Sequence, residues 1–130
     1  MSKEETHQAF LNTTFKVKGN HNFDIKIDCL IEKANHLDSY AFITAWNPLP
    51  EILSLESNKF RNIELKKDIE QLTLIYVDGL GISDDGKWSE ESFFVENISI
   101  EKANELAKKY GQLAFVFGYK NNKVALIYTK

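Results

Sequence analysis

The feature that most constrains the fold of this chain is an apolar run of seven residues, Tyr40–Trp46, which only Thr44 interrupts. Its aromatic and β-branched residues favour a strand. Because apolar side chains occupy both the even and the odd positions, both faces of that strand are expected to be covered. Asn47-Pro48 ends the run, since proline has no backbone N–H to donate to a sheet. The pattern therefore predicts an inner strand.

A helix with an unusual inner face follows this strand. Ser54 is a suitable N-cap, and Glu56 in the first turn complements the helix dipole. At helical spacing the inward stripe contains Leu55, Asn58, Asn62, Leu65, Ile69 and Leu72. A buried amide without a partner costs about 1–3 kcal/mol. Asn58 and Asn62 therefore either bind the backbone of the loop over residues 47–53 or line a polar pocket between the strand and the helix.

The remaining elements are mostly hairpins. Further helices are predicted over residues 3–12, 29–37 and 100–110, and further strands over residues 14–18, 23–27, 72–77, 88–95, 112–117 and 124–129. Asp28 is expected to cap the second of these helices, and residues 78–86 are predicted to form a loop rich in turn residues. The sequence thus predicts one α+β domain over residues 1–130. It would have a mainly antiparallel, twisted sheet of six or seven strands, with three to four helices packed on it.

The composition narrows the range of partners. A net charge of −3 offers no electrostatic footprint for nucleic acid or an anionic membrane, so neither partner is expected. Cys29 is the single cysteine, which excludes a disulfide framework and is typical of a reducing compartment. We expect this cysteine to be buried as a small apolar residue. Because the first residues lack the apolar segment of a signal peptide, and no apolar run could span a membrane, we expect a cytoplasmic protein.

Neither the acidic residues nor the histidines form a metal-binding pattern. The acidic residues tested are Asp78, Asp84, Asp85, Glu90 and Glu91, and the histidines are His7, His21 and His36. A calcium loop with Gly86 as its turn glycine would begin at Gly81 and end at Ser92, neither of which has a carboxylate. Glu90 and Glu91 point to opposite faces of a regular strand and cannot share one ion. We therefore expect no metal and no cofactor.

Four short motifs occur in a specific order between Thr44 and Phe117. They are Thr44-Ala-Trp-Asn-Pro48, then Asn58 with Arg61-Asn62 and Leu65, then Gly86-Lys-Trp88-Ser-Glu90-Glu91-Ser92, and finally Gly111-Gln112-x-Ala114-Phe-Val-Phe117. In these motifs the chain resembles the domain of unknown function 3293 family, a group of small bacterial proteins. That family carries no established activity, but the resemblance implies that the motif residues belong together. They are Thr44, Trp46, Asn47, Asn58, Arg61, Asn62, Trp88, Glu90, Glu91, Ser92 and Gln112.

Arg61 gives this group a positive charge. A buried or half-buried Glu90 or Glu91 would be costly alone, and Arg61 is a natural bidentate partner for either carboxylate. Such a pair would either clamp the 88–95 hairpin strand to the helix or form part of an anion pocket. The pocket would be lined by Arg61, Asn58, Asn62, Asn47 and Gln112, with Trp46 or Trp88 as a wall.

Three functional hypotheses remain open from the sequence. The first is a ligand-binding or regulatory domain that holds a small polar or anionic ligand at Arg61, Asn58 and Asn62. The second is an enzyme that uses Glu90 or Glu91 as a general base, with Arg61 holding the substrate. The third is a protein-interaction module in which these residues only stabilise the fold, which requires an exposed apolar patch. The sequence decides neither the ligand nor the oligomeric state.

Overall fold

The fold is built on one antiparallel sheet of seven strands. The computed structural model describes residues 2–19, 22–48 and 51–130, so that His21 lies outside the described residues. The strands are β1 (Thr13–Val17), β2 (Phe23–Ile25), β3 (Ser39–Ile43), β4 (Tyr76–Ser83), β5 (Ser89–Glu96), β6 (Ala114–Tyr119) and β7 (Ala125–Tyr128). The helices are α1 (Lys3–Leu11), α2 (Leu55–Gln71) and α3 (Ile100–Lys109), with a short 3₁₀ helix at Glu32–Ala34. Across the sheet the strand order is β2-β1-β4-β5-β3-β6-β7, which confirms the predicted α+β fold.

β3 is an inner strand, as its apolar run predicts. Ala41 pairs with β5 on one side and with β6 on the other, in both cases antiparallel. The strand ends at Ile43 rather than at Trp46. It ends early because the backbone leaves the sheet, and the N–H of Ala45 donates to the side chain of Asn62 instead of to a neighbouring strand.

Two apolar clusters cover the two faces of the sheet. On the face covered by α2 and α3, which we call the helix face, Leu65 and Ile69 of α2 pack against β3, β5 and β6. On the other face, which we call the N-terminal face, Phe42 and Phe94 pack against α1 and apolar side chains of residues 27–37. Each face of the central strands is therefore buried, which explains why their sequences show no polar side.

The helix predicted over residues 29–37 is wrong. Asp28 has a φ of +68°, whereas a helix N-cap needs an extended backbone. The N–H of Asp28 donates to the carbonyl of Val124 at 2.8 Å, and the N–H of Val124 donates to the carbonyl of Cys29 at 2.9 Å. These bonds tie the segment to the β6–β7 connection, and only the 3₁₀ turn at Glu32–Ala34 forms. Cys29 is exposed, which corrects the prediction that it is buried.

β4 is shifted along the chain from the strand predicted over residues 72–77: it begins at Tyr76, and residues 78–83 continue the strand instead of forming a loop. One of its glycines leaves room for an aromatic ring. A Cβ atom at Gly79 would lie 2.7 Å from Cζ of Phe42. A Cβ atom at Gly81 would make only an ordinary contact, 3.6 Å from Cδ1 of Phe15. Gly79 therefore marks close packing against the sheet rather than a turn.

α2 confirms most of the predicted inward stripe. The Oγ of Ser54 caps the helix by accepting the N–H of Ser57 at 3.1 Å. The members of the stripe that are buried are Asn58, Asn62, Leu65 and Ile69. Leu55 is exposed, contrary to the prediction, because it lies in the first turn and helical geometry places it at the margin of the stripe.

The ring of Tyr40 lies over Gly118, its partner in the neighbouring strand β6. A Cβ atom at Gly118 would overlap carbon atoms of that ring. We expect Gly118→Ala to lower the free energy of unfolding by about 1–3 kcal/mol, the usual cost of overpacking a buried site. Urea denaturation of the variant and of the wild type measures this change.

The matched control for this variant is a Tyr40→Leu background. Leucine is smaller and branched differently, so it relieves the overlap, and Gly118→Ala should cost less there than in the wild type. Equal costs in the two backgrounds would show that the Tyr40 ring does not limit the space over Gly118.

Candidate functional site

The end of β3 is fastened to α2 by the side chain of Asn62. Its Oδ1 accepts the N–H of Ala45 at 2.8 Å, and its Nδ2 donates to the carbonyl of Glu91 at 2.8 Å. Asn62 and Ala45 are both buried. These bonds supply the partners that the backbone loses where it leaves the sheet, because buried backbone polar groups need a partner.

Asn58 and Asn47 hold the loop that follows β3. The N–H of Asn47 donates to Oδ1 of Asn58 at 2.8 Å, and Nδ2 of Asn58 donates to Oδ1 of Asn47 at 2.8 Å. The same Oδ1 of Asn47 accepts the N–H of Leu53 at 2.9 Å. Asn47 has a φ of +42°, a conformation that asparagine adopts more readily than most residues. Both side-chain atoms of Asn58 are therefore used within the protein.

The guanidinium group of Arg61 binds backbone carbonyl groups. Its Nε donates to the carbonyl of Ala45 at 2.8 Å, and its Nη2 donates to the carbonyl of Tyr110. The Cζ of Arg61 also lies 5.9 Å from the centre of the Tyr110 ring. Nearby, Nε2 of Gln112 donates to the carbonyl of Trp46 at 3.0 Å. Arg61 and Gln112 thus fasten the end of α3 to the segment that follows β3.

The ion pair predicted between Arg61 and Glu90 or Glu91 is wrong. Glu91 pairs with Lys59 instead, with 3.2 Å between Oε2 and Nζ. Adjacent residues of a strand point to opposite faces of the sheet. Glu91 points to the helix face, so its neighbour Glu90 points away from it and cannot reach Arg61. The predicted clamp between β5 and α2 does exist, but Asn62 and Lys59 form it.

The residues predicted to belong together divide between the two faces of the sheet. We call the β3-end cluster those that lie around the end of β3: Thr44, Trp46, Asn47, Asn58, Arg61, Asn62 and Gln112. Glu90 pairs with Gly81, and the ring of Phe15 lies near that glycine on the N-terminal face. Glu90 and Ser92 therefore point to the N-terminal face. Trp88 precedes β5 and is 45% exposed.

Glu90 carries a carboxyl group in a poorly solvated position. Burial raises its pKa from 4.5 to about 8, and no hydrogen bond or charge from the described residues offsets that effect. A strongly raised pKa is one mark of a functional carboxyl group. However, Arg61 lies on the other face of the sheet, so the pair predicted for an enzyme does not form.

The β3-end cluster lies within the part of the chain that matches a known family. The family model described as Protein of unknown function (DUF3293) matches residues 43–115, which is more than half of the chain. The chain belongs to this family. No curated protein and no solved structure matches it. The DUF3293 match begins at the last residue of β3 and spans α2, β4, β5 and α3, so it contains the whole β3-end cluster.

This DUF3293 chain has a cleft of about 740 Å³ on the N-terminal face, on the opposite side of the sheet from α2 and α3. Its apolar lining consists of Val17, Phe23, Leu37, Val77 and Phe94. Its polar lining consists of Lys18, Asn22, Lys33, His36 and Glu96. The apolar residues are buried or half-buried, whereas both lysines are exposed, so the cleft has an apolar floor and a charged rim. This volume lies within the range that small-molecule sites occupy.

Sequence reasoning did not find this cleft. Lys18 follows β1, whereas Lys33 and His36 lie in the segment that was predicted to be a helix. The irregular path of residues 26–38 brings them to the β1–β2 hairpin, and no hydrophobic period predicts such a path. The only signal was that Lys18, Lys33 and His36 all lie in the first third of the chain, and five further lysines and histidines occur there as well.

The acidic turn after β4, which contains Asp84 and Asp85, is held to the β2 end by an ion pair. Asp84 pairs with Lys26 at 2.9 Å, and the hydrogen bond from Lys26 lowers the pKa of this carboxyl group.

Within the ranges that the structure describes, no three residues among His, Cys, Asp and Glu are grouped so that they could hold a metal ion. The helices in those ranges are also too short or too polar to cross a membrane.

Proposed function

We propose that this DUF3293 protein is a binding domain for a small anion with an apolar body, held in the cleft on the N-terminal face. The observation that carries the proposal is the pairing of an apolar floor with two lysines at the rim. An apolar body would lie against Phe23 and Phe94, and a carboxylate, phosphate or sulfonate would meet Lys18 and Lys33. Lysine binds such groups as a point charge.

The charge of the cleft favours an anion over a cation. The whole chain has a net charge of −3, yet Glu96 is the only acidic residue among the described residues that line the cleft. Lys18 and Lys33 form no ion pair with another described residue, whereas Lys16 and Lys26 pair with aspartates nearby. Two unpaired lysines over an apolar surface attract a negatively charged ligand.

The β3-end cluster is the competing location for the ligand, as the sequence predicted. Its amide groups and two of the guanidinium nitrogens already bind backbone groups. A ligand there would have to replace those bonds, and each buried group left unpaired would cost about 1–3 kcal/mol. The lysines at the cleft need no such rearrangement, which is why we favour the cleft.

We also propose that the protein works in a bacterial cytoplasm. The single cysteine is exposed and unpaired, which suits a compartment that keeps thiols reduced. The bacterial origin rests on the family that the sequence motifs resemble.

Titration with a fluorescent probe tests the proposed site. Anilinonaphthalene sulfonate is an apolar ring system with one anionic group, and N-phenyl-naphthylamine is its uncharged counterpart. We expect the double variant Lys18→Ala/Lys33→Ala to weaken binding of the sulfonate by about tenfold or more, the loss expected for charge-assisted contacts. Binding of the uncharged probe should change little, because the apolar floor is intact.

The matched control is Lys66→Ala, which removes an exposed lysine of α2 outside the cleft. It should leave the affinity for both probes unchanged. Equal losses in Lys66→Ala and the double variant would show that the sulfonate senses only the overall charge, and the proposal would then be wrong. Loss of sulfonate binding in Arg61→Ala, with the folded state intact, would place the site at the β3-end cluster.

A further inference from the structure

The outer face of α2 is apolar at positions that a surface helix usually leaves polar. Phe60 is 62% exposed and Ile63 is 52% exposed. The buried stripe through Asn62 lies on the opposite side of the helix, so the described residues leave this outer face open to solvent. Neighbouring large apolar side chains exposed on one helix face are a feature of binding surfaces.

Four residues form a line along this outer face. They are Glu56, Phe60, Ile63 and Lys67, which follow one another at steps of 4, 3 and 4 residues, the spacing of a seam between two packed helices. The line begins with an acidic residue, ends with a basic residue and is apolar in between. It is therefore complementary to itself when the second helix runs in the opposite direction.

We infer that the outer face of α2 binds the same face of a second copy of this chain, with the two helices antiparallel. A two-fold axis midway between Phe60 and Ile63 places Phe60 of each copy against Ile63 of the other. The same axis places Glu56 of each copy opposite Lys67 of the other. A parallel arrangement would instead place like charges opposite each other, so charge selects the antiparallel one.

The charges beside the seam do not add to this register. Lys59 and Glu64 flank the seam on opposite sides, and in an antiparallel pair related by a two-fold axis each side meets the same side of the other copy, so these two residues do not meet across the seam. In the single chain Lys67 pairs with Glu64 at 3.4 Å, and Lys59 pairs with Glu91 at 3.2 Å, with Lys67 62% exposed. Ion pairs at an exposed rim set orientation more than affinity. The apolar centre therefore supplies most of the binding.

One helix face is a small interface. Stable complexes bury about 1,600 Å² in total, and a four-turn helix seam buries less than that. The dimer is therefore weak and its population depends on protein concentration. It is independent of the proposed ligand cleft, which lies on the other face of the sheet.

Sedimentation velocity over a series of protein concentrations tests the inference. The wild type should shift from monomer to dimer as its concentration rises. Phe60→Glu should weaken the dimer by about tenfold or more, because a central aromatic residue of an interface often has an effect of that size. The matched control is Ile75→Glu, which replaces an exposed apolar residue outside α2 and should leave the dimer unchanged.

Charge reversal tests the antiparallel orientation. Lys67→Glu alone places acidic side chains opposite each other at both ends of the seam and should weaken the dimer. The double variant Glu56→Lys/Lys67→Glu restores opposite charges across the antiparallel seam and should recover the wild-type affinity. Circular dichroism checks that each variant is folded.

Two outcomes would overturn the inference. A wild-type chain that stays monomeric at every concentration would leave the face to a different protein. A dimer that Phe60→Glu does not weaken would use another surface. Weakening by Lys67→Glu followed by recovery in the double variant is specific to the antiparallel arrangement, because in a parallel pair like residues face each other in every variant.

Discussion

Replacing Asn62 with leucine is expected to lower the free energy of unfolding by about 2–4 kcal/mol, although leucine has nearly the same size and is more apolar. The loss arises because the N–H of Ala45, buried at the end of β3, donates to Oδ1 of Asn62 and would have no partner in the variant. The carbonyl of Glu91 loses the bond from Nδ2 but keeps the one from the hydroxyl of Thr44 at 2.7 Å. Urea denaturation at neutral pH measures the change.

Two further variants make this result interpretable. Asn58→Leu should also destabilise, by about 1–3 kcal/mol, because the N–H of Asn47 loses its acceptor. Asn104→Leu is the matched control, since this asparagine of α3 accepts a single exposed bond from the N–H of Lys130. It should cost less than about 0.5 kcal/mol. If Asn62→Leu were as stable as the wild type, the amide would not be needed by the fold, and the ligand search should return to the β3-end cluster.

Replacing Glu90 with glutamine is expected to stabilise the protein at neutral and alkaline pH. Burial raises the pKa of Glu90 from 4.5 to about 8, so the folded state holds the proton more tightly than the unfolded chain does. That contribution to stability is fully present below pH 4.5 and is lost as the pH rises to about 8. Each unit of pH in that window changes stability by up to about 1.4 kcal/mol.

The same pH range sets the size of the stabilisation by Glu90→Gln and the measurement that tests it. At pH 7 the penalty for the wild type is at most about 3 kcal/mol, and water around a half-buried group reduces it to about 1–3 kcal/mol. Denaturant midpoints of Glu90→Gln and wild type should therefore diverge between pH 5 and pH 8. Glu91→Gln, at an exposed carboxyl group paired with Lys59, is the control and should follow the wild type. Parallel curves for wild type and Glu90→Gln would contradict the account.

Elements with a strong period were predictable from the sequence. The inner position of β3 follows from apolar side chains on both faces, and α2 and α3 follow from their caps and stripes. The helix predicted over residues 29–37 shows the limit of such reasoning. Its apolar spacing was helical, but two backbone bonds to Val124, far along the chain, fixed a different path. Periodicity contains no information about a partner that distant.

The candidate site was predictable only in part. The presence of Asn58 and Asn62 in a core-facing stripe indicated that buried amides need partners, and the loop backbone was one of the two alternatives. That Asn62 also binds β5 could not be predicted, because the register of β5 beside β3 is a tertiary feature. Arg61 was assigned a carboxylate partner, whereas the structure gives it carbonyl groups at the ends of two elements.

Chemical-shift mapping of the sulfonate probe by nuclear magnetic resonance tests the central claim most directly, because it locates the ligand without altering the protein. The account predicts that the largest shifts of the wild-type spectrum cluster at the cleft, at the amides of Leu37, Val77 and Phe94. The side-chain amides of Asn58 and Asn62 should shift little. The largest shifts at those two side chains, with the cleft unaffected, would contradict the account and place the ligand at the β3-end cluster.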